Sequence, residues 1–287
     1  MDQSPSLFRR ITVAGTGLIG GSLGLALKRC GYGGRITGCD RPQILERALD
    51  TGAIDEAEPD FAAAVRNADL VILAAPVGAV LEQFGQIKLS APAHALITDT
   101  GSTKRAIVER ARAALGNNPL FIGGHPLAGK EKSSIEFAES RLFESTRYVL
   151  TPLEPEHLQD GRVHAFRALI ESVGAQTFVT DAETHDRALA YLSHLPQLLS
   201  TALAGTIAAE GPLPLELAAA GFRDMTRLAE SSYGVWRDVC LTNADHLRLA
   251  IESMIRKLEV IKAQLEEPAL EQQFEAAREI RERWRKL

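Results

Sequence analysis

The chain has 287 residues, 45% of them hydrophobic and 24% charged, a length that suits two domains with substantial cores. With 37 acidic against 32 basic residues the formal net charge is −5, and no long run of either sign occurs, which argues against nucleic-acid or membrane-surface partners. Met1 to Arg10 holds no signal-peptide core and the longest apolar stretch, Leu70 to Leu81, is too short to span a bilayer, so the expected location is the cytoplasm, with Cys30, Cys39 and Cys240 reduced and no metal site.

The first element is an apolar run, Ile11 to Ala14, which breaks at Gly15-Thr16-Gly17-Leu18-Ile19-Gly20. A small-residue helical pattern, Ser22 to Lys28, follows, and Gly31, Gly33 and Gly34 stop it. A second strand, Arg35 to Cys39, then ends in Asp40. A glycine triplet alone occurs in many loops, but strand, turn, helix, strand and terminal acid fall here in the order of a dinucleotide-binding unit. Gly15 permits the turn, Gly17 lets Leu18 and Ile19 bring backbone N–H groups to a pyrophosphate, and Gly20 lets helix and strand approach. Asp40 accepts hydrogen bonds from a ribose diol and repels a 2′-phosphate, which predicts NAD rather than NADP.

The alternation continues with a helix near Gln43 to Thr51, a short segment at Ala53 to Ile54, a helix near Phe61 to Asn67 and a wholly apolar strand, Leu70 to Ala74. Pro76 opens the next helix and lies near the cofactor, unless it marks only a helix start. Then come a strand at Ala95 to Thr98, a helix at Thr103 to Leu115, a strand at Leu120 to Ile122, and strands at Tyr148 to Leu150 and Thr177 to Val179 around a helix near Val163 to Val173. No strand is expected after Ala182, so the predicted architecture is α/β: a doubly wound, mostly parallel sheet over residues 1–181, then an all-α domain over 182–287.

Ligands of such a sheet sit beyond the carboxyl ends of its strands. Ser102, in Asp99-Thr100-Gly101-Ser102-Thr103-Lys104, either faces the ligand or caps the following helix. His125, in Gly123-Gly124-His125-Pro126-Leu127-Ala128-Gly129-Lys130-Glu131, is a strand-end histidine on the nicotinamide side, where neutral imidazole can accept from a substrate hydroxyl; a satisfied polar residue is the alternative.

In the helical half, Pro196 interrupts a helix near Ala188 to Glu210, and His194 and Gln197 share one face, either as site residues or as incidental polar groups of a kinked helix. Arg223 and Arg227, close to Gly221, make surface ion pairs or clamp a carboxylate. A last long helix, about Val235 to Glu267, would run roughly 50 Å at 1.5 Å per residue. Its apolar stripe, Trp236, Cys240, Leu247, Ile251, Met254, Leu258, Ile261 and Leu265, exceeds what one small domain covers, which predicts a homodimer through the helical domain. A charged terminal helix follows Pro268.

With these residues in place the chain resembles the prephenate/arogenate (cyclohexadienyl) dehydrogenases of tyrosine biosynthesis, from about Arg10 to Leu265. The resemblance rests on Gly15 to Ser22, Asp99 to Lys104, Gly123 to Gly129, Ser193 to Pro196, Gly221 to Arg227, and Trp236-Arg237-Asp238. It implies a Rossmann-type domain joined to a helical dimerisation domain and NAD-dependent oxidative decarboxylation. It also implies that His125 hydrogen-bonds the ring C4 hydroxyl, that Ser102 and His194 lie beside the nicotinamide and that hydroxyl, that Arg227 holds a substrate carboxylate, and that Glu131 gates the entrance. Gln197 stands where many members carry histidine and Lys130 where threonine is common. A neutral Gln197 that donates its amide N–H to a keto or carboxylate oxygen predicts prephenate over arogenate, with Gln197→Glu shifting the preference. The match also implies the unfused form without a regulatory domain, any tyrosine feedback then acting at the active site. Rival readings are a 3-hydroxyacid or imine-reducing dehydrogenase, which would rely on a lysine of the helical domain, and a nucleotide sensor without turnover.

Overall fold

A computed structural model describes residues 7–130, 132 and 134–286. The first half alternates strand and helix: β1 (Arg10–Ala14), α1 (Leu18–Arg29), β2 (Arg35–Cys39), α2 (Pro42–Asp50), β3 (Glu56–Ala57), α3 (Phe61–Val65), β4 (Leu70–Leu73), α4 (Val77–Ser90), β5 (Leu96–Asp99), α5 (Arg105–Leu115), β6 (Leu120–Pro126), β7 (Arg147–Pro152), α6 (Gly161–Ser172) and β8 (Gln176–Val179). The eight strands form one sheet in the order β3-β2-β1-β4-β5-β6-β7-β8, parallel throughout except where β7 runs against β6. The expected segment at Ala53 to Ile54 is the buried entry to β3, whose pairing with β2 falls at Glu56 and Ala57.

Helices on both faces bury the sheet, and that double cover explains why strands such as β4, Leu-Val-Ile-Leu, are buried at every position. Each such side chain contributes about 1.5–3 kcal/mol when removed from water. On one side Leu23 and Leu27 of α1 pack with Ile11, Val13, Tyr148 and Phe166. On the other, Val80 and Phe84 of α4 meet Ile107 and Ala111 of α5 over Val71, Leu73 and Phe121.

The second half is helical: α7 (Ala182–Leu189), a π turn (Ala190–His194), α8 (Leu195–Ala209), α9 (Leu213–Glu216), α10 (Ala220–Thr226), α11 (Tyr233–Thr242), α12 (Ala244–Ala263) and α13 (Leu270–Arg285). The proline expected to bend a helix, Pro196, sits just after the π turn, where the ladder is already loosened. The single rod expected from Val235 to Glu267 is two helices, because Asn243 leaves helical geometry (φ −129°, ψ 27°) to bury its side chain against α7. The core of this half is small. Ala190, Leu195 and Ala250 are its fully buried cluster, supported by Leu199, Ile251 and Met254, while Leu258, Val260, Leu265 and Phe274 stay exposed.

The two halves are stitched at the carboxyl ends of the strands. Asp238 of α11 accepts the Gly78 N–H at 2.8 Å, Thr103 and Thr242 share a hydroxyl hydrogen bond of 2.7 Å, and Arg105 pairs with Asp245 at 2.6 Å.

Candidate active site

The turn between β1 and α1 is shaped by glycine. Gly15 has φ +98°, and a Cβ there would stand 2.5 Å from the Ala74 carbonyl oxygen. A Cβ on Gly20 would lie 1.9 Å from the Gly15 carbonyl oxygen, so only hydrogen fits between helix and turn. Gly17 is the N-cap of α1, and among the described residues no side chain caps this end, which leaves the helix start at Leu18 and Ile19 as a cradle for an anion. Asp40 follows β2 and accepts the Thr16 N–H at 2.8 Å and the Arg41 N–H at 2.8 Å, which holds its carboxylate over the same turn. These residues fit a dinucleotide. Pro76 is the residue immediately before α4, one step earlier than a first-turn position, and Gly78 beside it is the point that Asp238 holds.

His125 does not sit in a loop after its strand. The parallel pairing of β5 with β6 ends at Ile122, but β6 continues through Gly123, Gly124, His125 and Pro126 because β7 pairs with that extension from the other side. The extension carries His125 past the end of β5 on a rigid strand. Neither glycine could be larger: a Cβ on Gly124 would be 2.4 Å from the Asp99 carbonyl oxygen, and one on Gly123 2.2 Å from Thr151 Oγ1.

Beneath His125 lies a buried ion pair. Lys104 and Asp99 are fully buried and in contact, and Asp99 also accepts the N–H groups of Gly101 at 2.7 Å and Gly124 at 3.1 Å. Burial pushes the Lys104 ammonium below the usual lysine range, while Asp99 pulls it back. The pair ties the end of β5 to the extension of β6. Removing one partner alone would strand a charge in the core.

His125 Nδ1 lies 2.8 Å from His185 Nε2, and His185 Nδ1 lies 2.7 Å from Asp186 Oδ1. Asp186 accepts the main-chain N–H groups of Lys104 at 2.7 Å and Arg105 at 2.9 Å. It therefore caps α5 in the place where Ser102 was a candidate cap; Ser102 lies half-buried two residues before Lys104. His194 is buried, stands edge-on to Trp236 with ring centroids 5.9 Å apart, and has its Nδ1 3.2 Å from Asn243 Nδ2. Sequence reasoning missed His185, Asp186 and Asn243, since a His-Asp pair in a polar helix and an asparagine within an amphipathic run carry no local signature.

Burial, followed by the repulsion a proton would meet from His185, Lys104 and His194 in their cationic forms, drives the His125 imidazole well below its ordinary 6.5. Burial takes His194 down to about 4. With a neutral His125 ring as acceptor and its folded value depressed, kcat/KM is expected to show no inflection at about 6.5 and to fall only at more acidic pH. An acid limb centred at or above the ordinary imidazole value in a pH–rate profile would contradict this.

Gln197 departs from expectation. Its Nε2 donates to the Leu228 carbonyl at 2.8 Å and lies 3.5 Å from Thr201 Oγ1, so both hydrogens of the amide nitrogen have partners within the protein. The buried Oε1 is the atom without a partner, an acceptor rather than a donor. Arg227 follows α10, begins a 3₁₀ turn over Arg227–Glu230, and is exposed, one residue from the Leu228 carbonyl that Gln197 holds. Glu131 lies outside the described residues. Among the described residues no cluster of metal-ligating side chains occurs and no helix is long and apolar enough to cross a membrane.

Family models match both halves: the nucleotide-binding domain of prephenate dehydrogenase over residues 23–179 and the dimerization domain of prephenate dehydrogenase over 181–279. The prephenate dehydrogenase of Bacillus subtilis is 37% identical over 92% of this chain and 72% of its own length. The cyclohexadienyl dehydrogenase of Zymomonas mobilis is 30% identical over 90% of this chain and 88% of its own. Among solved structures, prephenate dehydrogenase from A. aeolicus in complex with hydroxyphenyl propionate and NAD+ superposes with a TM-score of 0.87 at 31% identity, covering 97% of this chain and 98% of that one. The glycine turn, the strand-borne His125 and the two-domain build thus coincide with matches over nearly the whole sequence, and the chain belongs to the prephenate dehydrogenase family.

Proposed function

We propose that His125 is the hydrogen-bond acceptor in the NAD-dependent oxidative decarboxylation of prephenate that this enzyme catalyses, with Ser102 and His194 beside the reacting centre and Arg227 on a substrate carboxylate. The observation that carries the assignment is the extension of β6, which holds a buried imidazole beyond the strand ends on the side of the α1 cradle. The bound NAD+ supplies a hydride acceptor. His125 takes up hydrogen-bond and proton charge from the C4 hydroxyl as hydride leaves C4 and the C1 carboxylate departs as CO2. Aromatisation of the ring drives the reaction, so positioning is the protein's main contribution. The product is 4-hydroxyphenylpyruvate. Glu131, five residues after Pro126 in sequence, keeps the entrance role that the family resemblance implies.

Gln197 does not supply the discrimination that a free amide N–H would have supplied. Its unpartnered Oε1 suits the ammonium of arogenate, so arogenate is a second, slower substrate, and a preference for prephenate rests on other groups. A Gln197→Glu side chain would set a carboxylate against the Leu228 carbonyl at a buried position, a cost in stability before any change in specificity. The enzyme works in the cytoplasm as a homodimer, in which the exposed Leu258, Val260, Leu265 and Phe274 of the helical half meet a second copy.

Steady-state assays of prephenate and arogenate with NAD+ and NADP+ test this reading. The highest kcat/KM is expected for prephenate with NAD+, and NADP+ should be poorer because the Asp40 carboxylate repels its 2′-phosphate. Higher kcat/KM with NADP+, or turnover of arogenate alone, would refute it.

A further inference from the structure

Two buried chains of hydrogen bonds start at Asp186 and end at the two active-site histidines. In the first, the Asp186 carboxylate can only accept, and its oxygens already receive the N–H groups of Lys104 and Arg105 at the start of α5. The 2.7 Å contact to His185 therefore places a hydrogen on His185 Nδ1. With that single hydrogen on its ring, His185 turns a bare Nε2 toward His125 Nδ1, 2.8 Å away, and His125 must donate. With its one hydrogen spent on Nδ1, neutral His125 keeps a lone pair on Nε2.

The second chain leaves Asp186 from its main-chain carbonyl, which also only accepts. Asn243 Nδ2 lies 2.8 Å from that oxygen, and this contact fixes which end of the amide is nitrogen. The same Nδ2 is 3.2 Å from His194 Nδ1, so that ring nitrogen is the acceptor. The hydrogen of neutral His194 then sits on Nε2, which is buried and has no partner among the described residues. A buried N–H without an acceptor is costly to leave unmet and points to a ligand atom.

We propose that Asp186, acting through His185 and Asn243, is a positioning residue that holds His125 and His194 in opposite tautomers, one offering a bare Nε2 and the other an Nε2–H. A hydroxyl group both donates and accepts, and so satisfies the two together; a keto oxygen can only accept and satisfies His194 alone. The site is thereby set for the alcohol. The same residue caps α5, which couples the tautomers to the docking of the helical half on the sheet. The inference rests on the reading that His125 and His194 face the substrate hydroxyl, but the tautomers themselves can be observed without turnover.

The test is a long-range ¹H–¹⁵N correlation spectrum of the ¹⁵N-histidine-labelled enzyme saturated with NAD+ at neutral pH. Expected are Nδ1–H forms for His125 and His185 and an Nε2–H form for His194. Hydrogen on Nε2 of His125, or on Nδ1 of His194, overturns the proposal. Kinetics add a second arm. His185→Phe removes the acceptor and should lower kcat about 10²-fold, the low end for a mispositioned acid–base group, with substrate KM little changed and His125 shifted toward its Nε2–H form. His185→Gln retains an acceptor oxygen and should recover much of that loss. Equal losses in both variants with an unchanged His125 tautomer would show a structural role only and overturn the proposal. If the tautomers are as stated but a His125 variant keeps full activity, the tautomer lock stands and the catalytic assignment falls.

Discussion

His125→Asn should lower kcat by about 10²- to 10⁴-fold, the range for losing a positioned acid–base group, and leave NAD+ binding nearly intact. The reason is local. The α1 cradle, formed by Gly15, Gly17 and Gly20, lies on β1, whereas His125 lies on the extension of β6, so the substitution removes the acceptor nitrogen without touching the cofactor turn. Asparagine is polar and smaller, and the buried Asp99–Lys104 pair that supports the strand through Gly124 remains. Calorimetric titration with NAD+ beside single-turnover kinetics separates the two effects. An unchanged kcat removes His125 from the mechanism.

Arg227→Ala is expected to act mainly on KM for prephenate. Truncating one partner of a buried charge pair costs about 2–5 kcal/mol, but Arg227 is exposed, so solvent screening places the effect near the lower end, about 2 kcal/mol or some 30-fold in KM. Its segment is fixed from below by the Gln197 to Leu228 hydrogen bond, which survives the substitution because it uses a main-chain carbonyl. Equal weakening of NAD+ and prephenate would instead assign Arg227 a structural role between the halves.

Much of this was legible in the amino-acid order because its signals are local. The Gly15 to Gly20 turn, the apolar β4 and the absence of strands after Ala182 each follow from residues close in sequence, and the described residues agree with all three. The extension of β6 was not legible, since Gly-Gly-His-Pro has no strand propensity and becomes a strand only because β7 pairs with it from residues far along the chain. The break at Asn243 was hidden for a similar reason. Periodicity runs through that position, and what breaks the helix is a pair of contacts to Asp186 and His194, both more than 40 residues away. The partner of the Gln197 amide nitrogen was not legible either, because the Leu228 carbonyl it meets is invisible to sequence spacing. Ser102 was weighed as a cap because serine before a helix often is one, but the cap comes from Asp186 on another domain.

The central claim is that this chain couples hydride removal from a cyclohexadienol to loss of its ring carboxylate. The direct measurement is product stoichiometry with purified protein, prephenate and NAD+. One NADH and one CO2 are expected for each 4-hydroxyphenylpyruvate formed, with all three lowered together by about 10²- to 10⁴-fold in the His125→Asn protein over the same interval. NADH formed without CO2, or no NADH from prephenate at all, would contradict it.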